Sequence, residues 1–112
     1  MVQISGTLRF PPRGEPLDVA RVSVTVRDIT ELDGPARTVA QLDLPAVHVP
    51  PDGVDVPFTV DADLADPART FALRAHADVT GSGSVTAGDL VTTTTHVVHA
   101  NHQLLLPLEQ IR

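Results

Sequence analysis

Hydrophobic and polar residues alternate along much of this chain, a pattern typical of strands with one buried and one exposed face. In residues 21–27, three valines alternate with Arg, Ser and Thr, and a similar alternation runs from Phe71 to Val79. Because successive side chains of a strand point to opposite faces of the sheet, each run predicts one dry and one wet face. Several such runs separated by Pro and Gly turns predict antiparallel sheets packed on each other.

The pattern predicts one domain spanning residues 1–112. No long segment has helical periodicity, so the expected fold class is all-β: an antiparallel Ig-like (prealbumin-like) β-sandwich of about seven strands. The strands are expected at residues 2–9, 19–29, 37–45, 54–60, 70–80, 89–99 and 102–108.

The turns between these strands are marked by Pro, Gly and Asp. The Pro-rich segment 11–16 is expected to leave the sheet, because Pro lacks an N–H, and 33–35 and 50–53 are expected to form tight turns. Asp66 before Pro67 predicts a single helical turn, and Gly81–Ser84 predicts a flexible loop.

The apolar faces of the strands predict a shared interior. We expect Phe58 and Phe71 to meet Val22, Val24 and Val26 between two layers of extended chain. A chain of 112 residues is long enough to form such a core without disulfides, and it contains no Cys.

Charge and composition exclude several classes of function. The formal net charge is −6, Lys is absent, and no basic stripe or aromatic platform is present, which argues against nucleic-acid binding. No apolar run is long enough for a transmembrane helix. We expect a cytoplasmic protein if Met1 is the native start, and a periplasmic or outer-membrane-associated domain if a lipoprotein signal precedes it.

Three histidines near the carboxyl end form the main candidate for a metal site. His96, His99 and His102 could bind a divalent metal through neutral imidazole. On one regular strand His96 and His102 would lie ~20 Å apart, so a turn would have to fold His102 back, with His76 or His48 in support. The alternative is that these histidines are polar residues on wet strand faces and in a loop.

No catalytic motif stands in the chain. The segment Gly81–Ser84 does not match the strand–turn–helix elbow of serine hydrolases, and no nucleophile is spaced suitably from a base. We therefore expect no enzymatic activity and no cofactor.

Four strand segments together carry a family resemblance: Val22–Ile29, Val56–Val60, Asp66–Pro67 with Thr70–Ala75, and Thr94–Val98 with Leu104–Leu106. They resemble the YbaY/YscW family of small bacterial lipoproteins, the type III secretion lipoprotein chaperones or pilotins. In the same order, they are similar to the family's opening strand that ends in an acidic residue, its Pro-aromatic strand, its turn with an aromatic-led strand, and its closing pair of strands.

The resemblance implies a small non-enzymatic β-sandwich in which YscW-like members help a secretin to reach and assemble in the outer membrane. Residues 1–5 have neither the basic nor the apolar region of a signal peptide, and residues 1–112 contain no Cys to carry a lipid, so the resemblance does not extend to these family features. We expect a protein partner that adds a strand to an open sheet edge, which requires no special side chains. The third and seventh predicted strands are the expected edges, and a homodimer is left open.

Overall fold

The computed structural model describes residues 2–31, 36–64, 68–98 and 103–111. These residues form strands, turns and loops, with no helix among them. The strands are β1 (Val2–Phe10), β2 (Leu17–Val19), β3 (Arg21–Asp28), β4 (Arg37–Leu44), β5 (Val47–Val49), β6 (Val54–Ala62), β7 (Phe71–Asp78), β8 (Leu90–Val91), β9 (His96–Val97), β10 (Leu104–Pro107) and β11 (Glu109–Gln110).

The strands form two packed sheets and a short ribbon. The first sheet has the order β10-β1-β6, and the second has the order β11-β8-β7-β3-β4, with β9 also paired to β7. Strands β2 and β5 form a separate two-stranded ribbon. The predicted all-β sandwich is therefore confirmed, and β4 and β10, which correspond to the third and seventh predicted strands, lie at sheet edges as expected.

The first sheet is built on a long antiparallel pair in which a glycine lies under an aromatic ring. Strands β1 and β6 pair along nine residues, and Gly6 lies directly opposite Phe58. A Cβ at Gly6 would come within 2.7 Å of the Phe58 ring and 2.6 Å of the carbonyl oxygen of Leu104. Glycine thus leaves space for the ring and for the neighbouring strand β10, both of which contact the backbone of β1 closely.

The carboxyl-terminal segment crosses from the first sheet to the second. Strand β10 runs parallel to β1, and the Leu108 N–H then donates to the Arg9 carbonyl, at 3.0 Å. Strand β11 begins at the next residue, Glu109, and pairs antiparallel with β8 of the second sheet. The parallel β1–β10 pair is an exception to the antiparallel pairing that the sequence predicts, because β10 follows a long connection rather than a hairpin.

The second sheet is centred on β3, which pairs antiparallel with β4 on one side and β7 on the other. The β3–β4 register shifts after Val26, because Val26 pairs with Ala40 whereas Arg27 pairs with Thr38. Val39 is the extra residue, and this bulge leaves its side chain 37% exposed on an edge strand.

The interior lies between the two sheets and contains the predicted valines of β3. Phe58 is only 5% exposed, whereas Phe71 is half-buried at the margin of the core. Phe10, which the sequence pattern does not assign to the interior, is also buried there and only 1% exposed. The connected core cluster consists of Ile4, Leu8, Phe10, Val19, Val22, Val24, Val26, Val49, Phe58, Val60, Ala62, Leu73, Ala75, Ala77, Leu90, Leu106 and Leu108.

Two predicted strands are interrupted in the structure. The strand expected at 19–29 is divided at Ala20, whose N–H donates to the carbonyl of Asp78 at 3.1 Å, so β2 turns away from the sheet. The strand expected at 89–99 is reduced to β8 and β9, separated by Thr92–Thr95. High β-propensity in a threonine run therefore does not ensure a continuous ladder, because packing decides which residues pair.

The turn predicted at 50–53 is confirmed, since the Gly53 N–H donates to the Pro50 carbonyl at 2.9 Å and Gly53 has a φ of +84°. The segment 11–16 lies outside the sheets, as expected. The turn predicted at 33–35 falls within the undescribed segment 32–35, and the Asp66–Pro67 turn also lies outside the described residues.

Truncating the buried ring of the first sheet should destabilise the protein strongly. We expect Phe58→Ala to lower the free energy of unfolding by ~3–5 kcal/mol, because it removes apolar contact and leaves a cavity over Gly6. Phe71→Ala should cause a smaller loss, because Phe71 is half-buried. Denaturant unfolding measures both. The exposed control Val2→Ala should change stability by less than ~0.5 kcal/mol, and a Phe58→Ala loss no larger than that of Val2→Ala would contradict the packing.

Candidate protein-binding surface

The outward face of the second sheet carries the polar half of the alternating pattern. In register, Ser23 of β3 lies opposite His76 of β7, and Thr25 lies opposite Arg74. Because directly paired residues point to the same face, these side chains form one polar surface opposite the core. The same alternation that buries the valines of β3 therefore places hydroxyl and guanidinium groups on this surface.

One wall of this surface is the loop 79–88, and Asp78 anchors its first half. Asp78 ends β7 with its side chain buried, although its position in the alternation predicts a wet face. Its carboxylate accepts hydrogen bonds from the backbone N–H groups of Gly81 at 2.9 Å and Gly83 at 2.8 Å. Arg21 lies 3.7 Å away and supplies an ion pair. The Gly-Ser loop is thereby held against the sheet.

Asp89 anchors the other end of the same loop. Its carboxylate is 0% exposed and accepts from the backbone N–H groups of Val79 and Thr86, both at 3.0 Å. Nε2 of His76 lies 2.8 Å from the second oxygen of Asp89. A buried carboxylate is stable only with such partners, so Asp89 joins β7 to both ends of the loop.

The environment keeps both carboxylates charged. Backbone hydrogen bonds, led by the Gly83 N–H, lower the pKa of Asp78. Burial alone would raise the pKa of Asp89, but the hydrogen bond from His76 and the amides of Thr86 and Val79 outweigh burial and lower that pKa. Both groups are therefore anionic at neutral pH, which strengthens the hydrogen bonds that close the loop.

An open groove of about 410 Å³ lies on this face between β4, β3, β7 and the loop. We call it the arginine groove, since its lining includes Arg21, Arg27 and Arg74 together with His76. Gly83 of the loop forms part of the wall. The carboxylates of Asp78 and Asp89 lie behind this wall, where they position the loop.

A second open groove of about 240 Å³ adjoins the first and shares Arg27 and Arg74 with it. We call it the threonine groove, because Thr92–Thr95 line one side. Thr92 holds this segment to β7: its N–H donates to the Ala75 carbonyl at 3.2 Å, and its hydroxyl accepts from the Ala75 N–H at 3.3 Å. The interruption between β8 and β9 therefore places hydroxyl groups beside two arginines.

The histidines predicted to bind metal do not come together among the described residues. The Nε2 atom of His96 lies 3.1 Å from the Thr94 hydroxyl, and His99 and His102 lie outside the described residues. Nδ1 of His48 lies 2.7 Å from Asp18 on the β2–β5 ribbon. The third described histidine, His76, binds Asp89, so each has a different partner.

One cluster that the sequence analysis missed is formed by His76, Asp78 and Asp89. One potential ligand atom from each lies within 4.8 Å of the others. The oxygens already accept hydrogen bonds from the loop, as described above, which accounts for the burial of both carboxylates. Asp78 and Asp89 stand eleven positions apart in the sequence, and no pattern within either segment marks them as spatial neighbours.

The fold has a solved counterpart. An alternative pilotin from the type II secretion system of Vibrio cholerae superimposes with a TM-score of 0.67, at 16% identity, over 99% of this chain and 97% of that one. At this identity the likeness concerns the fold. A comparison with curated proteins returns no match.

The sequence also matches a family profile. Residues 1–106 match the family described as type III secretion system lipoprotein chaperone (YscW). The chain therefore belongs to the YscW family, and the resemblance drawn from its strand segments is confirmed. None of the described residues forms a helix that could cross a membrane.

Removing the charge of Asp89 should loosen the loop and weaken the fold in acid. We expect Asp89→Asn to lower the free energy of unfolding at neutral pH by about 2–3 kcal/mol, since four hydrogen bonds to a buried anion are weakened. In the folded state the pKa values of Asp78 and Asp89 lie below the unfolded value of about 3.9. Their stabilisation is therefore complete above about pH 4 and is lost as the pH falls below it.

Denaturant unfolding at a series of pH values measures this effect. The variant should lose less stability between pH 5 and pH 3 than the wild type does, because it retains only one of the two carboxylates whose pKa is lower in the folded state. Asp52→Asn, in the exposed turn at 50–53, is the matched control and should follow the wild-type profile. Equal pH slopes in wild type and Asp89→Asn would contradict the anchoring role.

Proposed function

We propose that this protein is a non-enzymatic protein-binding module that assists the assembly of a secretion-system component. The observation that carries the proposal is the match of residues 1–106 to the type III secretion lipoprotein chaperone family. The fold it shares with a pilotin agrees with the same role. The partner that the family resemblance implies is a secretin.

The binding mode we propose is the addition of a partner strand to β4. Strand β4 has eight residues and pairs with β3 on one side, while no strand is paired to its other edge in the described part of the chain. An unpaired edge presents a row of backbone N–H and C=O groups that can form main-chain hydrogen bonds with an incoming strand. Strand β6 is a nine-residue edge of the first sheet that contacts β4 across the sandwich, and the edge strands β10 and β11 have only four and two residues.

The surface of β4 suits reversible pairing. The bulge at Val39 disrupts part of the strand, and Asp43 places a charge farther along it. Hydrogen bonds from Gln41 and Ser23 lower the pKa of Asp43, so this charge persists at neutral pH. Bulges and charges at an edge discourage indiscriminate aggregation and leave pairing to a partner whose sequence fits.

A charge at the bulge should weaken the complex. We expect Val39→Lys to reduce binding of the secretin by about tenfold or more, because a lysine on an edge strand hinders strand addition. The measurement is a titration of the purified protein against a purified secretin from the same genome, by biolayer interferometry. Circular dichroism and thermal unfolding should be unchanged, since Val39 already points partly into solvent.

Val2→Lys is the matched control. Val2 is an exposed valine, at 45%, on the first sheet and away from β4, so the same change in charge should leave the affinity unaltered. Equal losses in both variants would indicate a charge effect and refute strand addition at β4. Analytical ultracentrifugation tests the homodimer: a dimer that Val39→Lys dissociates would mean that β4 pairs with a second copy.

The second candidate function is divalent metal binding through His96, His99 and His102. The specific observation that favours metal binding is the proximity of potential ligand atoms in His76, Asp78 and Asp89. His76 is the residue common to this cluster and to the supporting role expected from the sequence. The two possible sites differ in which substitutions should abolish binding.

Calorimetric titration with zinc distinguishes the two sites. A site at the carboxyl-terminal histidines should give heat at micromolar zinc that is lost in His102→Ala and retained in His48→Ala. If the heat is lost in Asp89→Asn but retained in His102→Ala, the ion binds instead at the cluster of His76, Asp78 and Asp89. Absence of heat in the wild type would refute metal binding, and heat that persists in both variants would refute both sites.

A further inference from the structure

The arginine groove is positively charged in an acidic protein. The chain has 14 Asp and Glu residues against 8 Arg and no Lys, yet neither the arginine groove nor the threonine groove has a carboxylate in its lining. Arg21 is paired with the buried Asp78, and Asp43 accepts hydrogen bonds from the lining residues Ser23 and Gln41. The positive charge of the groove therefore comes from Arg27 and Arg74.

Arg27 and Arg74 have no ionic partner among the described residues. Arg13 and Arg37, which lie outside the two grooves, have none among these residues either, whereas Arg9 pairs with Asp55, Arg21 with Asp78, and Arg69 with Asp28.

The sheet register brings the two unpaired arginines close together. Arg27 is directly opposite Ala72, two residues from Arg74 on the same face of β7. Diagonal neighbours across antiparallel strands are ~7–8 Å apart, and like charges at this distance repel each other. An anion bound between the two guanidinium groups would relieve this repulsion, and a guanidinium group can bind a carboxylate through two parallel hydrogen bonds.

Hydroxyl groups surround the same two arginines. Thr25 and Thr38 line the arginine groove, and Thr92–Thr95 line the threonine groove on the other side of Arg27 and Arg74. Hydroxyl and guanidinium groups can both donate hydrogen bonds to carboxylate oxygens. Together the two grooves form an extended polar channel rather than one enclosed cavity, which suits a stretch of peptide better than a single small ion.

From these observations we infer that the arginine groove binds an acidic segment of the partner protein, with its carboxylates between Arg27 and Arg74. The inference rests on the proposed function, since it assigns a second contact to the same partner. Strand β4 supplies Thr38 and Gln41 to the lining of the groove. A partner strand paired along β4 therefore leads directly onto this surface.

The net charge of the whole chain favours an acidic protein segment over larger anions as the ligand of the groove. A net charge of −6 repels an anionic membrane or a nucleic acid, whose charge extends well beyond the groove. A short acidic segment can enter the groove and contact the arginines while its neighbouring residues carry no charge. Charge complementarity thus favours a local run of Asp or Glu within a protein.

The test is fluorescence anisotropy with a rhodamine-labelled octapeptide of alternating glutamate and serine. We expect saturable binding that weakens as salt increases, and a loss of about tenfold or more in the double variant Arg27→Gln/Arg74→Gln. Arg9→Gln is the matched control: it removes one positive charge from the outer face of the first sheet and should bind as the wild type does. A glutamine and serine peptide should not bind.

Other outcomes overturn the inference. Equal losses of affinity for the acidic peptide in the double variant and in Arg9→Gln would show that the attraction is nonspecific. Binding of inorganic phosphate or of vesicles containing phosphatidylglycerol, lost in the double variant while the acidic peptide fails to bind, would assign the arginines to phosphate groups instead. No effect of the double variant on acidic-peptide binding would place the peptide elsewhere on the protein.

The secretin titration separates this inference from the proposed function. If the double variant binds the secretin as the wild type does while Val39→Lys does not, the assembly role stands and the acidic contact is refuted. If the protein binds the acidic peptide through Arg27 and Arg74 but shows no affinity for the secretin, the groove stands and the assigned partner is refuted.

Discussion

The structure depends on the burial of one face of each long strand in a single interior. Val22, Val24 and Val26 have no measurable exposure, and Phe58 lies over Gly6 in the facing sheet. Burial of apolar surface is the largest favourable contribution to such a fold. A shift of one residue in any of these strands would expose its apolar side chains, so the core fixes the register and, with it, every side chain on the outer face.

The loop 79–88 shows how a polar element can be positioned as firmly as an apolar one. Asp78 and Asp89 are buried because they replace the water that the loop amides would otherwise bind, and His76 joins this network from β7. The pKa of both carboxylates is lowered, so the anchoring is electrostatic as well as geometric. A loop of Gly and Ser, which by composition predicts flexibility, thus becomes one wall of the arginine groove.

The edge of β4 and the arginine groove suit complementary kinds of recognition. An edge strand supplies backbone hydrogen bonds that are largely independent of sequence, whereas Arg27 and Arg74 select for charge. A family described as secretion-system lipoprotein chaperones acts on other proteins rather than on a reactive substrate. In the proposed mode of binding, the edge of β4 supplies affinity and the arginine groove supplies discrimination between partners.

The sequence by itself determined the sandwich, the faces of the long strands and the family, because two-residue alternation and strand composition are local properties. It also indicated the turn that ends at Gly53, where Pro, Asp and Gly have fixed conformational preferences. Only the tertiary structure decided that Asp78 and Asp89 meet, that the threonine run interrupts a strand, and that Arg27 and Arg74 lie together on different strands. Those contacts join residues far apart in the chain, and they depend on which strands pair and in what register, which the pattern within one strand does not encode.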